Sequence, residues 1–583
     1  MAIGKRQYTE NDSVGTLRRA QLVTSFGPGA MVDLPDLSVV VGATDHWSRK
    51  CRVVSDRNLE LLLGVKEFRE PVSAYAKKDE CTVPVRRFPD WHYCPKCGKL
   101  DRYWVIAKED KKTCAECGIP LIPSRFVAVC ENGHLDDFPY RWWVHRGPDC
   151  GSNAPLKIYF SKETRGIEGI IITCPSCGAN RTMAGCTGVD ALAGRQCFGK
   201  RPWIGRKDED PEPCTCDLRT VQRTSSNAYY PMTVSALTVP PTASSVVERY
   251  WSQISALVAS NPGEGLFRSM LEIILAPEDM SASAFDEVIY EIKLKGSNAG
   301  KAEITKQRIY QSEYHALAGE DHDGLQFKTA HVSVPEGFEG LIEDVALVKR
   351  LREILVLQGF RRISPEPIGS SRPMSELSKG KLDWLPGIEL LGEGVFIKLD
   401  SHAVEKWSER VAGRYERMKR RLDSSNVRCD NFSPQYVLLH TLSHLVIRQL
   451  SMECGYSASS ISERIYSTYP GDDYKMCGIL LFTSSSDSDG SLGGLVRRGR
   501  PENLGITLNE ALANAEWCSS DPLCAESTEQ GYKSLNYAAC HACSLLPETS
   551  CEMRNCLLDR VALVGTPEKP ELGFFSKEER WMA

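Results

Sequence analysis

The strongest constraint on how this chain folds is a pair of CxxCG units sixteen residues apart. They read Tyr93-Cys94-Pro95-Lys96-Cys97-Gly98 and Cys114-Ala115-Glu116-Cys117-Gly118. Each CxxC sets two thiolates about one tight turn apart, and the glycine after it lets the backbone fold under a metal. Together they supply four soft ligands, Cys94, Cys97, Cys114 and Cys117, the complement of a closed tetrahedral zinc site. With four protein thiolates no position is left for a catalytic water, so the expected role is structural.

Cysteine use sets the frame for the rest. Of 23 cysteines, twelve fall between Cys94 and Cys216 and six between Cys518 and Cys556. The chain opens Met-Ala-Ile-Gly-Lys-Arg-Gln-Tyr without an apolar signal region, and no run approaches the length of a membrane span. Thiols held by zinc in a reducing cytoplasm are therefore expected rather than disulfides. At 583 residues several domains are needed. The net charge of −5 leaves nucleic-acid contact to local patches. The expected fold class is α+β multidomain, with zinc-ribbon-like Cys-rich modules inserted in mixed α/β domains. Four segments are expected: a mixed N-terminal segment at 1–90, a Cys-rich region with two zinc sites at 91–217, a mixed helical and strand domain at 218–430, and a C-terminal domain with a four-cysteine site at 431–583.

Along the chain, Gly27-Pro28-Gly29 forces a turn, and Leu37–Val41 reads as a strand. Arg18 and Arg19 beside that turn read as a solvated helix face in preference to a phosphate contact. Phe126–Cys130 is a strand running into Glu131-Asn132-Gly133-His134. A third knuckle, Cys174-Pro175-Ser176-Cys177-Gly178, is expected to share a metal with Cys197 and Cys214; Cys130, His134 and Cys150 form the competing set. Ser245–Ala259 and Gly265–Leu275 have helical spacing, and Lys301–Leu317 reads as a charged amphipathic helix. Val345–Phe360, with Leu347, Val348, Leu351, Ile354, Leu355 and Leu357, reads as the clearest helix, and Gly394–Asp400 as a strand.

Between Glu405 and Arg421 seven Lys/Arg stand against three Glu, with Trp407 and Tyr415 interleaved. Arg414, Arg417, Lys419, Arg420 and Arg421 are thus the best local candidates for a phosphate-contacting face, weighed against a solvated helix. Tyr436–Ile447 is an apolar helix with His440 and His444 four apart. The protease form of that spacing needs a Glu where Thr441 stands, so satisfied helix histidines are the preferred reading. The strand Ile479–Phe482 opens into a Gly/Ser loop with Asp487 and Asp489, followed by Arg497 and Arg498, which are further candidates for contacting phosphate, weighed evenly against a surface turn. A fourth CxxC, Cys540-His541-Ala542-Cys543, takes Cys551 as a third ligand and Cys524 or Cys518 as the fourth, giving three zinc ions in all. No GxxxxGK[ST], GxSxG or HExxH occurs. The absence points to a non-enzyme. The alternatives are a metal-dependent nuclease or hydrolase using His440, His444 and Asp487 or Asp489, and a pure interaction scaffold.

Several phrases together resemble the DrmB family of the bacterial DISARM anti-phage system: Leu17–Ala30, Cys130–Pro139, Leu439–Arg448, Ser484–Val496 and Ala538–Cys551. They run from residue 17 to about 560, nearly the whole chain. The last two also resemble a four-cysteine domain that some DNA-repair helicases carry at their C-termini. The resemblance implies a subunit without a settled activity of its own. It would partner a large helicase-like ATPase, DrmA, in a complex that binds DNA; no membrane partner is expected, because no run has the length of a membrane span. It transfers candidate zinc ligands and fixes no DNA-contacting residue.

Overall fold

The structure is a computed structural model. It describes residues 14–576 apart from 36, 48–50, 71–82, 110–111, 148, 206–211, 241–242, 261, 279, 281–284, 286–287, 290–291, 293–304, 365–373, 381 and 486–492. Its helices, separate sheets and Cys-rich hairpins make it an α+β multidomain protein. Contacts divide the chain into two units. One comprises Met1–Val54, Phe68–Val234 and Val356–Ile388; the other comprises Ser55–Glu67, Ser235–Leu355 and Glu389–Ala583.

The first unit is built from short strands, because its chain is interrupted every few residues by a turn. Its largest sheet has six strands in the order Asn180–Thr182, Ile170–Thr173, Leu156–Phe160, Lys99–Arg102, Trp91–Tyr93 and Ile122–Pro123. Two CxxCG knuckles are the turns of hairpins in this sheet: Cys94–Gly98 joins Trp91–Tyr93 to Lys99–Arg102, and Cys174–Gly178 joins Ile170–Thr173 to Asn180–Thr182. A three-stranded sheet, Leu135–Asp137, Phe126–Val129 and Arg219–Gln222, lies in the same unit. Trp91, Leu100, Phe126, Phe138, Trp143, Leu156 and Ile172 form a shared core.

Arg362, completely buried, ties the distant phrases of this unit together. Its Nε donates to the Gly133 carbonyl and one Nη to that of Gly29, both at 2.8 Å, and the other Nη donates to the Ala228 carbonyl. The Gly-Pro-Gly turn and the Asn-Gly turn before His134 are thereby held by one side chain. Gly133 has φ +82°, and a Cβ there would stand 1.6 Å from the Ser375 hydroxyl, so only glycine fits.

The second unit is organised on long strands, two of which, Ile342–Arg361 and Trp384–Leu399, have one end within the residues of the first unit. Lys328–Val332, Ile342–Arg361, Trp384–Leu399, Cys477–Ser485 and Ile461–Ser467 are hydrogen-bonded in that order. The Pro434–Cys454 helix packs on this sheet, and from Tyr436 to Leu450 every residue but Arg448 is buried, the pattern of a central helix rather than a surface one. Its start is specified locally: the Ser433 hydroxyl accepts from the Tyr436 N–H at 3.1 Å and Pro434 occupies the first turn. Gly455, at φ +70°, ends it. The Ser401–Ser424 and Pro501–Glu516 helices join it in one core with Val395, Ile397, Ile479 and Leu481.

Most predicted elements are present: Leu37–Val41 as a strand, Ala243–Ser260, Glu264–Ile274 and Lys306–Ala318 as helices, and Phe126–Val129 and Cys477–Ser485 as strands. The exception is Val345–Phe360, which is not a helix but part of the twenty-residue strand Ile342–Arg361. Val345, Ala346, Leu347 and Val348 are all buried and pair with Val332, His331, Ala330 and Thr329. A strand covered on both faces loses the polar alternation that would mark it, and its apolar run then mimics a buried helix.

Candidate metal centres

Three knuckles share one backbone arrangement. The N–H of the first cysteine donates across the turn, Cys94 to Lys99, Cys114 to Ile119 and Cys174 to Ala179, at 2.8–2.9 Å. The closing glycine N–H returns to the carbonyl of that same cysteine at 2.9 Å in all three. Further N–H groups of the turn point at sulfur. Burial of Cys94 opposes ionisation, yet the N–H groups of Cys97 and Lys96 outweigh it and bring the thiol down to about 7. Burial and the N–H groups of Cys177 and Ser176 compete in the same way at Cys174, which falls to about 6.

Among the described residues five groups of ligand atoms converge, each set lying within 4.8 Å of one another, and four of them consist of cysteines alone or of three cysteines and a histidine. Zinc–sulfur bonds of about 2.3 Å in a tetrahedron require sulfurs about 3.8 Å apart. In the first group, Cys94, Cys97, Cys114 and Cys117, the Cys97 and Cys114 sulfurs stand 3.8 Å apart. The second is Cys130, His134, Cys197 and Cys214, with Cys130 Sγ 3.9 Å from Cys214 Sγ and 3.3 Å from His134 Nδ1. His134 Nε2 lies 3.0 Å from the Glu212 carboxylate, a partner that orients the ring and leaves Nδ1 free for a metal. The third is His145, Cys150, Cys174 and Cys177; the Cys150 and Cys174 sulfurs are 3.8 Å apart, and His145 Nε2 is 3.4 Å from Cys177. His145 Nδ1 bonds the Arg141 carbonyl at 2.7 Å, which again selects the ligand tautomer. The fourth is Cys518, Cys524, Cys540 and Cys543, with sulfur pairs at 3.6 Å (Cys518–Cys540), 3.8 Å (Cys524–Cys543) and 3.7 Å (Cys540–Cys543). Zinc-sized spacing and four protein donors per set fit closed, structural ions.

The grouping differs from the sequence expectation in two places. Cys174 and Cys177 are not brought to Cys197 and Cys214. Each pair takes partners from the competing set instead, so the Cys-rich region holds three groups where two were expected. The reason is topological: Cys197 and Cys214 flank the chain that runs into the Arg219–Gln222 strand, which pairs with Phe126–Val129 and so brings them to Cys130. His145 was not among the expected ligands; its only sequence signal is its place five residues before Cys150. At the C-terminus both Cys518 and Cys524 join the Cys540–Cys543 knuckle, and Cys551 lies elsewhere, beside His440, His444 and Glu463. All four of these side chains are buried. Asp487 and Asp489, the other members of the hydrolase reading, lie outside the described residues.

The basic candidates separate as well. Arg414 makes a two-pronged pair with the fully buried Asp559, at 2.8 and 3.2 Å, and Arg421 is held by Glu529 and the Thr528 carbonyl. Arg498 pairs with Glu453 at 3.3 Å. Arg417, Lys419, Arg420 and Arg497 are exposed. Among the described residues no helix is long and apolar enough to cross a membrane.

These features define a multidomain α+β protein with several convergent Cys and Cys/His clusters. Residues 18–230 match the model of a domain of unknown function, DUF8724, and residues 442–544 match that of the MrfA Zn-binding domain. The chain is 32% identical over 558 residues to the DISARM protein DrmB of Bacillus paralicheniformis, covering 91% of this chain and 96% of that protein. It belongs to the DrmB family of DISARM proteins.

Proposed function

We propose that this chain is a non-catalytic, zinc-stabilised subunit of a cytoplasmic anti-phage complex, partnering the helicase-like ATPase DrmA and helping to hold DNA. The observation that carries the reading is the set of four closed clusters in a DrmB-family chain. Four protein donors at each ion leave no coordination site for a substrate, so such ions hold loops in place. Zinc ions at Cys94/Cys97/Cys114/Cys117, Cys130/His134/Cys197/Cys214, His145/Cys150/Cys174/Cys177 and Cys518/Cys524/Cys540/Cys543 are part of the proposal. The hydrolase alternative needs an open metal position. Its two histidines are wholly buried, which favours the non-catalytic reading.

For DNA, the reading narrows to Arg417, Lys419 and Arg420 on the Ser401–Ser424 helix, with Arg497 as a further candidate, because Arg414, Arg421 and Arg498 already have acidic partners. The test is a comparison of the ATPase with and without this chain. The chain alone is expected to hydrolyse no ATP, to co-purify with the ATPase, and to raise the DNA affinity of the complex in a salt-sensitive way. DNA affinity unchanged by leaving the chain out would refute the DNA-holding role.

A further inference from the structure

The Pro434–Cys454 helix, the Ile461–Ser467 edge strand and the segment after Ser550 meet at four buried donors: His440, His444, Glu463 and Cys551. His440 Nε2 stands 3.1 Å from Cys551 Sγ and 3.0 Å from Glu463 Oε1, and His444 Nε2 stands 3.6 Å from that same carboxylate oxygen. A tetrahedral zinc with bonds of about 2.0–2.3 Å puts such donors about 3.3–3.6 Å apart.

The protonation pattern favours a cation at their centre. His444 Nδ1 is 2.9 Å from the Ser544 carbonyl, which can only accept, so Nδ1 carries a proton. In the neutral ring, Nε2 then presents a lone pair, and among the described residues it has no hydrogen-bond partner although it is buried. That lone pair faces a carboxylate oxygen, a repulsive arrangement unless a proton or a metal ion stands between them. His440 Nε2 faces both a sulfur and that same oxygen, and one N–H proton cannot serve both. A divalent ion satisfies all four atoms at once. Two neutral imidazoles, one carboxylate and one thiolate carry a charge of −2, which a divalent cation cancels in a place where net charge is costly.

Three of the four donors, His444, Glu463 and Cys551, are held by surrounding groups as metal ligands are, while His440 Nδ1 has no hydrogen-bond partner among the described residues. The Ser443 hydroxyl bonds the second oxygen of Glu463, and the Glu552 N–H donates to Oε1 at 3.1 Å. The Asn555 N–H donates to Cys551 Sγ at 3.2 Å. Ser544 connects this place to the neighbouring four-cysteine group: its carbonyl holds His444, and its hydroxyl bonds Cys543 Sγ at 3.2 Å. We propose that His440, His444, Glu463 and Cys551 bind a fifth divalent transition-metal ion, with zinc the ion that suits this donor set. The ion would clamp the sheet edge to the central helix. This inference stands independently of the DNA- and ATPase-binding reading.

The test is anomalous scattering from crystals of the unmodified full chain, collected on both sides of the zinc absorption edge. An anomalous difference peak between these four side chains is expected. A map that shows the cysteine clusters but no peak here overturns the proposal in favour of a protonated His–Glu pair. Metal content by native mass spectrometry supplies a second readout. His440→Ala and Cys551→Ala are each expected to lose one zinc per chain, and His440→Cys, which keeps a donor, to retain it. An unchanged count in folded His440→Ala and Cys551→Ala proteins also overturns the proposal.

Discussion

At the scale of single residues, the largest consequences follow from buried polar groups that serve several partners. Arg362 satisfies three backbone carbonyls from three separate turns. Arg362→Ala strands those carbonyls, and an unsatisfied buried group costs about 1–3 kcal/mol. A loss of about 3 kcal/mol or more is expected, read as a lowered denaturant midpoint. Gly133→Ala is expected to destabilise the same region, because its positive φ and the nearby Ser375 hydroxyl leave no room for a methyl group. Here the sequence was partly legible: Gly27-Pro28-Gly29 and Asn132-Gly133 announce turns through their chemistry, but nothing in the order of residues says that one arginine more than two hundred positions further on binds both. The basic stretch shows the same limit. Arg414 and Arg417 are alike in sequence, yet one is bound to Asp559 and the other reaches solvent.

At the scale of elements, the knuckles behave as prefabricated parts. Each is specified by CxxCG, because the glycine permits the turn and successive N–H groups stabilise thiolate. Partner choice is a separate matter, and the two middle clusters allow it to be checked. Cys174→Ser and Cys197→Ser are each expected to cost one zinc. Combining Cys174→Ser with Cys150→Ser should cost no more than Cys174→Ser alone, whereas combining it with Cys197→Ser should cost two; metal analysis distinguishes these outcomes. The Pro434–Cys454 helix is an element whose ends and face agree. Ser433→Ala removes its cap at a cost of about 1 kcal/mol. Leu439→Ala or Leu442→Ala should cost about 2–5 kcal/mol through the cavity left in the core. Both differences are measurable by equilibrium unfolding. The strand Ile342–Arg361 shows why apolar runs mislead. Its residues are spaced as a helix would space them, but sheet neighbours on each side supply the hydrogen bonds and the burial.

At the scale of the whole molecule, the zinc ions we propose would tie small modules together beside their apolar core, and metal-binding energy there would be folding energy. Strong chelation is expected to release zinc together with loss of structure in the Cys-rich region, followed by circular dichroism and zinc release. The exposed Cys150 and Cys177 should make their cluster the first to yield. Charge reversal at Arg417, Lys419 and Arg420 should weaken DNA binding by the complex and flatten its salt dependence without altering metal content. Unchanged DNA binding would place the contact elsewhere. What the sequence by itself determined was local and chemical: the knuckles, the caps and turns, the central helix, and the family phrases at both ends. Which cysteine joins which knuckle, that Val345–Phe360 is a strand, and that His440 and His444 meet Glu463 and Cys551 were decided only by the tertiary structure. The reason is physical: a ligand set or a sheet is closed by groups far apart in the chain, and their meeting depends on how the intervening strands pair.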